Sequence, residues 1–378
     1  MIPRYLPSVD LQARLAASRA AHADDAANLV AVLAPAQAFP GRTAVPALRE
    51  GLNAYFADLA TRAGNGGILM SAQICPLVPL AVRNVGLVPR FVDIAEDRPV
   101  PTGRQLAAGI DASVKGVVVA PFYGHLGEDG DAVLRALGER DLLLDLAQGI
   151  GLRGIEPLLA RANAVGYSFG IGKGPDTGGG LLLTRKAFRI AGGQSASLGT
   201  GALVRGAALR VIAACGLYAG LARVVERAAE ARPEDFDPRA REVRQEWVYG
   251  WWRRRVATFL SEVGLARDRA ASLRVRFGRH PALAYVEACF SPDATHLRQI
   301  IRLADPGRRD ATLDRLRRAG VDCAPAGEPL PAQYIPGEAG DYPATRRFLA
   351  DSIRLPFLGR LPERQFARVA DALEQSLA

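Results

Sequence analysis

The chain has 378 residues, more than one compact core usually spans, so two domains are expected. Hydrophobic residues make up 49% and charged residues 23%, which excludes a disordered chain and gives a core large enough to need no disulfide or metal staple. The formal charge of +9 comes from arginines scattered along the sequence, which argues against nucleic acid as the partner.

Residues 9–33 are Ala-rich and read as helix, followed by a Pro/Gly break at 35–42. From 43 to about 63 the pattern is helical, with Leu48, Leu52, Tyr55 and Leu59 on one face, and Gly64-Asn65-Gly66-Gly67 stops it. Short apolar runs at 68–70, 90–93, 117–120, 142–145, 164–169 and 180–184 then read as strands. Between them lie helical patterns at 75–85, with Pro76 in the first turn, at 103–110 and at 131–139. Such alternation predicts an α/β domain with a mostly parallel sheet buried on both faces.

Residues 203–271 read as helical and Arg-rich, with a break at 233–238. The most apolar part, 203–225, is interrupted by Arg205, Arg210 and Arg223 and is unsuited to spanning a bilayer. Trp247, Tyr249, Trp251 and Trp252 precede Arg253-Arg254-Arg255; helix packing explains them, and a contact with anionic lipid or another polyanion is the alternative. Strand-like runs at 284–288 and 299–303 and helices at 308–319 and 363–377 predict a smaller α+β domain. The expected division is a large domain over 1–200, then a helical connection and the small domain over 201–378. No internal repeat is present.

Lysine occurs only as Lys115, Lys173 and Lys186, which narrows the choice of a reactive amine. Cys75, Cys215, Cys289 and Cys323 stand far apart and are expected as reduced thiols in the cytoplasm. His22, His125, His280 and His296 have no metal-ligand spacing, and no metal is expected.

The block from 142 to 186 carries most of the chemistry. Asp145 closes an apolar strand and is followed by Leu146-Ala147-Gln148. Strand ends of a parallel sheet form a ligand crevice, where a carboxylate can meet a cation such as a protonated pyridine nitrogen. The next strand runs into Ser168-Phe169-Gly170-Ile171-Gly172-Lys173-Gly174, and Gly178-Gly179-Gly180 follow. An amine between glycines is little covered, and desolvation or nearby cations make it nucleophilic. Ser168 can donate a hydrogen bond to a phosphate. Singly, each has a plain structural reading: a strand-end cap for Asp145 and a solvated loop residue for Lys173. Their order together is more specific.

Asp145 to Gln148, Ser168-Phe169, Lys173 and Gly178 to Gly180 together resemble the signature of the DegT/DnrJ/StrS family of fold-type I, pyridoxal-5′-phosphate (PLP) dependent sugar aminotransferases. The resemblance extends to residues 85–93, 119–125 and 342–357, and is weak from about 194 to 280. It implies a large domain with a mostly parallel seven-stranded sheet plus the smaller C-terminal α+β domain. It puts Asp145 against the pyridine nitrogen, Gln148 near O3′, Ser168 on the phosphate and the imine linkage on Lys173. It also implies a homodimer, glutamate or glutamine as amino donor, and a keto-sugar, nucleotide-linked, as acceptor in sugar, polysaccharide or secondary-metabolite biosynthesis. The family's dehydratases carry His in place of the Lys, so Lys173 argues against that activity.

Three departures stand out. Where the family has Ser-Gly-Thr opening a phosphate-binding helix, this chain has Pro40-Gly41-Arg42-Thr43. Gly41, Arg42 and Thr43 are therefore expected at the phosphate, with a plain turn at Gly41 as the alternative. Cys75 falls where an aromatic usually stacks on the ring, and a core Cys is its other reading. The stretch 198–203 lacks the family's Asn, which reaches the partner subunit's phosphate; Arg205 is the candidate replacement. Tyr123 and His125 follow a strand end and either line the crevice or pack locally. The expected function is a PLP-dependent aminotransferase; the alternatives are a PLP-fold protein that does not transaminate and a polyanion-binding protein.

Overall fold

Apolar runs covered on both faces can satisfy their backbone only by pairing with one another, and in the computed structural model of the chain they build one sheet. The structure describes residues 1–2, 24–35, 39–190, 194–198, 204, 208, 211, 233–284 and 289–378. The strands are β1 (Gly41–Val45), β2 (Gly67–Ser71), β3 (Val88–Val92), β4 (Val114–Val119), β5 (Asp141–Asp145), β6 (Ala164–Ser168) and β7 (Gly180–Thr184). Their order is β1-β7-β6-β5-β4-β2-β3. The pairs from β3 to β6 are parallel; β7 runs against both β6 and β1. β2, β5 and β7 are buried at every position.

Helices cover both faces. On one side α2 (Leu48–Ala63) and α3 (Leu77–Asn84) bury Leu52, Phe56, Val78 and Val82. On the other lie α1 (Asp25–Leu33), α4 (Gly103–Ala108), α5 (Gly130–Leu137) and α6 (Glu156–Arg161). Thr102 and Gln105 form a reciprocal capping box that starts α4. β8 (Gln194–Ala196) and β9 (Arg241–Val243) make a separate parallel pair.

α7 (Trp247–Phe277) has 31 residues, about 46 Å of helix. Its first half sets Trp251, Trp252, Val256 and Phe259 into the core under the sheet; its last turns set Ala270, Leu273 and Phe277 into a second core. That second core belongs to the C-terminal lobe. There β10 (Ile300–Arg302), β11 (Ala324–Pro325) and β12 (Ser352–Arg354) pair in the order β10-β12-β11. They are packed by α8 (Arg309–Arg318), α9 (Pro343–Asp351) and α10 (Glu363–Leu377).

The six strands expected over 68–184 lie within three residues of their predicted limits. The helical reading from 43 is corrected: residues 41–45 form β1, and the helix begins at Leu48. Trp251, Trp252 and Arg255 are buried, and Arg253 pairs with Asp25 at 3.1 Å, so the Trp/Arg cluster is helix packing and not a basic surface. Among the described residues no helix is long and apolar enough to cross a membrane. The expected helix over 9–23, the strand at 285–288, and His22, Arg205, Arg210, Cys215 and Arg223 lie outside the described residues.

Candidate active site

β5 and β6 are adjacent and parallel, so Asp145 and Ser168 end at the same edge of the sheet. Leu146 N–H donates to Gly166 O at 2.8 Å and holds the exit of β5 against β6. Asp145 is buried, with Oδ1 accepting Ala147 N–H at 3.1 Å. Burial pushes its carboxyl above the ordinary range; the Ala147 N–H and the Lys173 charge act the other way. Among the described residues no cation forms an ion pair with Asp145.

Because β7 is antiparallel to β6, a loop joins them without a crossover helix. Phe169 N–H to Gly179 O (2.9 Å) and Gly178 N–H to Phe169 O (2.7 Å) close it. Lys173 sits at its tip, half-buried, between Gly172 (φ 77°) and Gly174 (φ 120°), left-handed positions that favour glycine. Its backbone N–H donates to Gly170 O at 3.0 Å, while its amine makes no hydrogen bond or ion pair among the described residues. The amine lies within electrostatic reach of both Asp145 and Cys75. Desolvation pushes the Cys75 thiol up to about 12, so within that reach of the amine it is a neutral group.

Gln148 accepts Tyr123 N–H on Oε1 at 2.5 Å, which fixes the direction of its amide. Tyr123 (φ 51°) and Gly124 (φ 84°) form a tight turn in which Phe122 and His125 exchange backbone hydrogen bonds. The Tyr123 hydroxyl accepts from Arg354 at 3.1 Å. The His125 ring meets His296 edge-on at 5.4 Å and lines a cleft of about 750 Å³ with Leu126, Arg153 and Asp293.

Gly41, Arg42 and Thr43 lie within β1 and not at the opening of a helix. Register places Gly41 opposite Thr184, which in turn faces Ala164 at the start of β6. Gly41 is thus at the opposite end of β1 from Val45, which lies in the row of Ser168. A Cβ there would lie 1.9 Å from Thr184 Oγ1, so Gly41 serves close strand packing. Arg42 donates to Phe39 O at 3.3 Å, and Thr43 is buried within the strand. At the crevice end, Val45 and Ser168 both pair with Gly180. A Cβ on Gly180 would lie 2.8 Å from Leu48 N, so the start of α2 abuts the end of β6. No side chain caps that start, whose Leu48 N lies against Gly180, the strand partner of Ser168.

Several neighbours were not read from sequence. Gln73 pairs both ways with the backbone of Glu328, donating to its O at 3.1 Å and accepting its N–H at 2.9 Å, and so brings a C-terminal-lobe loop beside Cys75. Arg298, buried, donates to Gly172 O at 3.4 Å. Trp252 donates to Gly178 O at 3.2 Å. Asp176 (φ 56°) accepts Gly172 N–H at 2.7 Å and pairs with Arg360. Of these only Asp176, in Gly-Pro-Asp-Thr, carries a local turn signal.

The site thus holds a buried carboxylate suited to a protonated heterocycle, an uncommitted amine able to attack a carbonyl carbon, and N–H groups suited to an anion. No family model and no curated protein matches the chain. Solved structures do match it along its whole length. The aminotransferase TlmJ from Streptoalloteichus hindustanus has 19% identity and a TM-score of 0.71, covering 100% of this chain and 99% of its own. Spr1654 from Streptococcus pneumoniae, in a PMP form, has 14% identity and a TM-score of 0.72, covering 100% and 99%. The sugar aminotransferase CalS13 from Micromonospora echinospora has 17% identity and a TM-score of 0.68, covering 99% and 100%. At these identities the likeness establishes the fold, which is the fold-type I PLP-transferase architecture expected from the sequence.

Proposed function

We propose that this chain is a PLP-dependent aminotransferase that moves an amino group from glutamate or glutamine to a keto-sugar, nucleotide-linked, in sugar, polysaccharide or secondary-metabolite biosynthesis. The observation that carries the reading is a buried carboxyl within electrostatic reach of the Lys173 amine, neither of them in an ion pair among the described residues. The full-length fold match to sugar aminotransferases supports it, as does the neighbour DesI, whose structure was solved with its TDP-sugar product.

The residues present fit the cofactor. Asp145 would face the pyridine nitrogen and, as a carboxylate, hold a proton there. Ser168 and the N–H groups at the start of α2 would take the phosphate, the place first expected for Gly41, Arg42 and Thr43. Cys75 would pack beside the ring, and Gln148, aimed by Tyr123, would lie near O3′. When bound, PLP supplies an electron sink for charge developing on the substrate carbon. Lys173 Nζ would hold the cofactor, and as a free amine it would move the proton at the substrate Cα as general base and acid. The glycines beside it leave room for that motion. A homodimer and a cytoplasmic setting belong to the same reading.

Borohydride trapping with peptide mapping tests it: the cofactor mass is expected on the peptide bearing Lys173, and glutamate should bleach the bound cofactor's absorbance before trapping. Mass on Lys115 or Lys186, or on no lysine, would overturn the reading. A second reading, a PLP-binding protein without transaminase activity, is favoured by Cys75 in place of an aromatic and by the absence of Asn over 198–203. A band that forms on Lys173 and is not bleached by glutamate or glutamine would select it.

A further inference from the structure

We propose that Arg360, in the C-terminal lobe, is the positioning residue of the Lys173 loop: one guanidinium fixes the backbone on both sides of Lys173 and leaves its amine free. The inference rests on the reading of Lys173 as the cofactor-bearing amine. On the far side of the lysine, Arg360 Nη2 donates to Gly174 O. On the near side it acts through Asp176, whose Oδ2 pairs with Arg360 Nη1 and whose Oδ1 accepts Gly172 N–H at 2.7 Å. Its third edge is held by Glu262 of α7, with Nε to Oε2 at 2.6 Å.

Burial makes this clamp directional. The Asp176 side chain is fully covered, and that of Arg360 is 10% exposed. The guanidinium carbon sits 5.5 Å from the Phe357 ring centre and 5.8 Å from that of Phe259. Phe259 also presses on the loop itself: a Cβ at Gly174 would lie 2.8 Å from its ring. Asp176 holds a left-handed φ of 56° that a non-glycine residue keeps only when its surroundings impose it. A planar fork serves all three acceptors at once; the single ammonium of a lysine cannot. Arg360 therefore touches no reacting atom and acts through Gly172, Gly174 and Asp176.

The test uses the full chain as Arg360→Lys, Arg360→Met and Glu262→Gln, with two readouts. Hydrogen exchange without cofactor measures the loop amides against those of β5 and β6, and borohydride trapping with PLP measures the rate of adduct formation on Lys173. Arg360→Lys and Arg360→Met should lose protection over residues 171–177 while the strands keep theirs. Adduct formation should slow by about 10²-fold, the effect of displacing a reacting group by about 1 Å. Glu262→Gln, which spares both loop contacts, should stay near the unmodified protein. If Arg360→Met does not fold, Arg360→Lys decides. An Arg360→Lys protein with unaltered loop protection and adduct rate, or with protection lost evenly across the sheet, would overturn the proposal. Absence of any adduct on the unmodified chain would sink the functional reading instead, while loop exchange would still report on Arg360.

Discussion

Asp145 is the residue on which burial and chemistry most plainly conflict. Its carboxyl is raised by burial, so the fold without cofactor binds that proton more tightly than the unfolded chain. The contribution to stability is present below the unfolded value of about 3.9 and is lost as pH rises through the folded one. Asp145→Asn should therefore stabilise the cofactor-free protein at neutral pH, with the gain vanishing in acid, as read by urea titration at several pH values. The same substitution should weaken cofactor retention by about 1.5–3 kcal/mol, the worth of a hydrogen bond to a charged group, as read by dialysis and absorbance. His296 behaves in the opposite sense. Burial holds its imidazole down to about 4, with its Nε2 2.9 Å from Ser291 O. Its stability is complete above about pH 6.5 and drains as pH falls towards 4, about 3 kcal/mol in all. His296→Asn, which suits the φ of 48° there, should flatten urea midpoints between those limits. At this scale the sequence placed Asp145 and Ser168 at strand ends and Lys173 in a glycine loop, as the structure has them, because apolar runs and glycines mark those positions. It was silent about Arg360 and Gln73, because their partners lie 184 and 255 residues away.

Among the elements, the buried strands were legible because continuous apolar runs bounded by turns have few other solutions. β1 was not. Gly-Arg-Thr-Ala-Val leads straight into a helical pattern, and only its register with β7, from Gly41 opposite Thr184 to Val45 opposite Gly180, makes it a strand. That misreading put Gly41, Arg42 and Thr43, the residues expected at the phosphate, at a helix start, whereas they lie within β1. Gly180 provides the check. Gly180→Ala would set a Cβ 2.8 Å from Leu48 N, pushing α2 off β7. A loss of about 1–3 kcal/mol in thermal or urea unfolding is expected. Phosphate affinity should fall with it if the start of α2 holds that group, whereas Thr43→Val should leave phosphate affinity unchanged.

At the scale of the molecule, the α/β alternation and the small C-terminal lobe were readable, but the continuity between them was not. α7 threads both cores, and Ile94, Val100, Phe122 and Tyr123 of the first part join the core of the second. Arg302 and Asp351 form a buried bidentate pair at 3.0 and 2.7 Å, and Arg302 Nη1 also donates to Glu96 O at 2.6 Å. Removing one member strands the other charge in the interior, so Arg302→Met should cost about 3–5 kcal/mol in urea unfolding. Arg302→Met combined with Asp351→Asn should recover part of that loss. The route from Asp176 to Arg360 has a temporal side as well. Arg360 stands 184 residues beyond the aspartate it grips. Synthesis proceeds from the amino end, so all seven strands and the lysine hairpin leave the ribosome well ahead of that arginine. A nascent chain stalled before codon 360 would carry the Lys173 loop held by Trp252 and Arg298 but without the Arg360 clamp, and translation itself would set the moment at which that clamp closes.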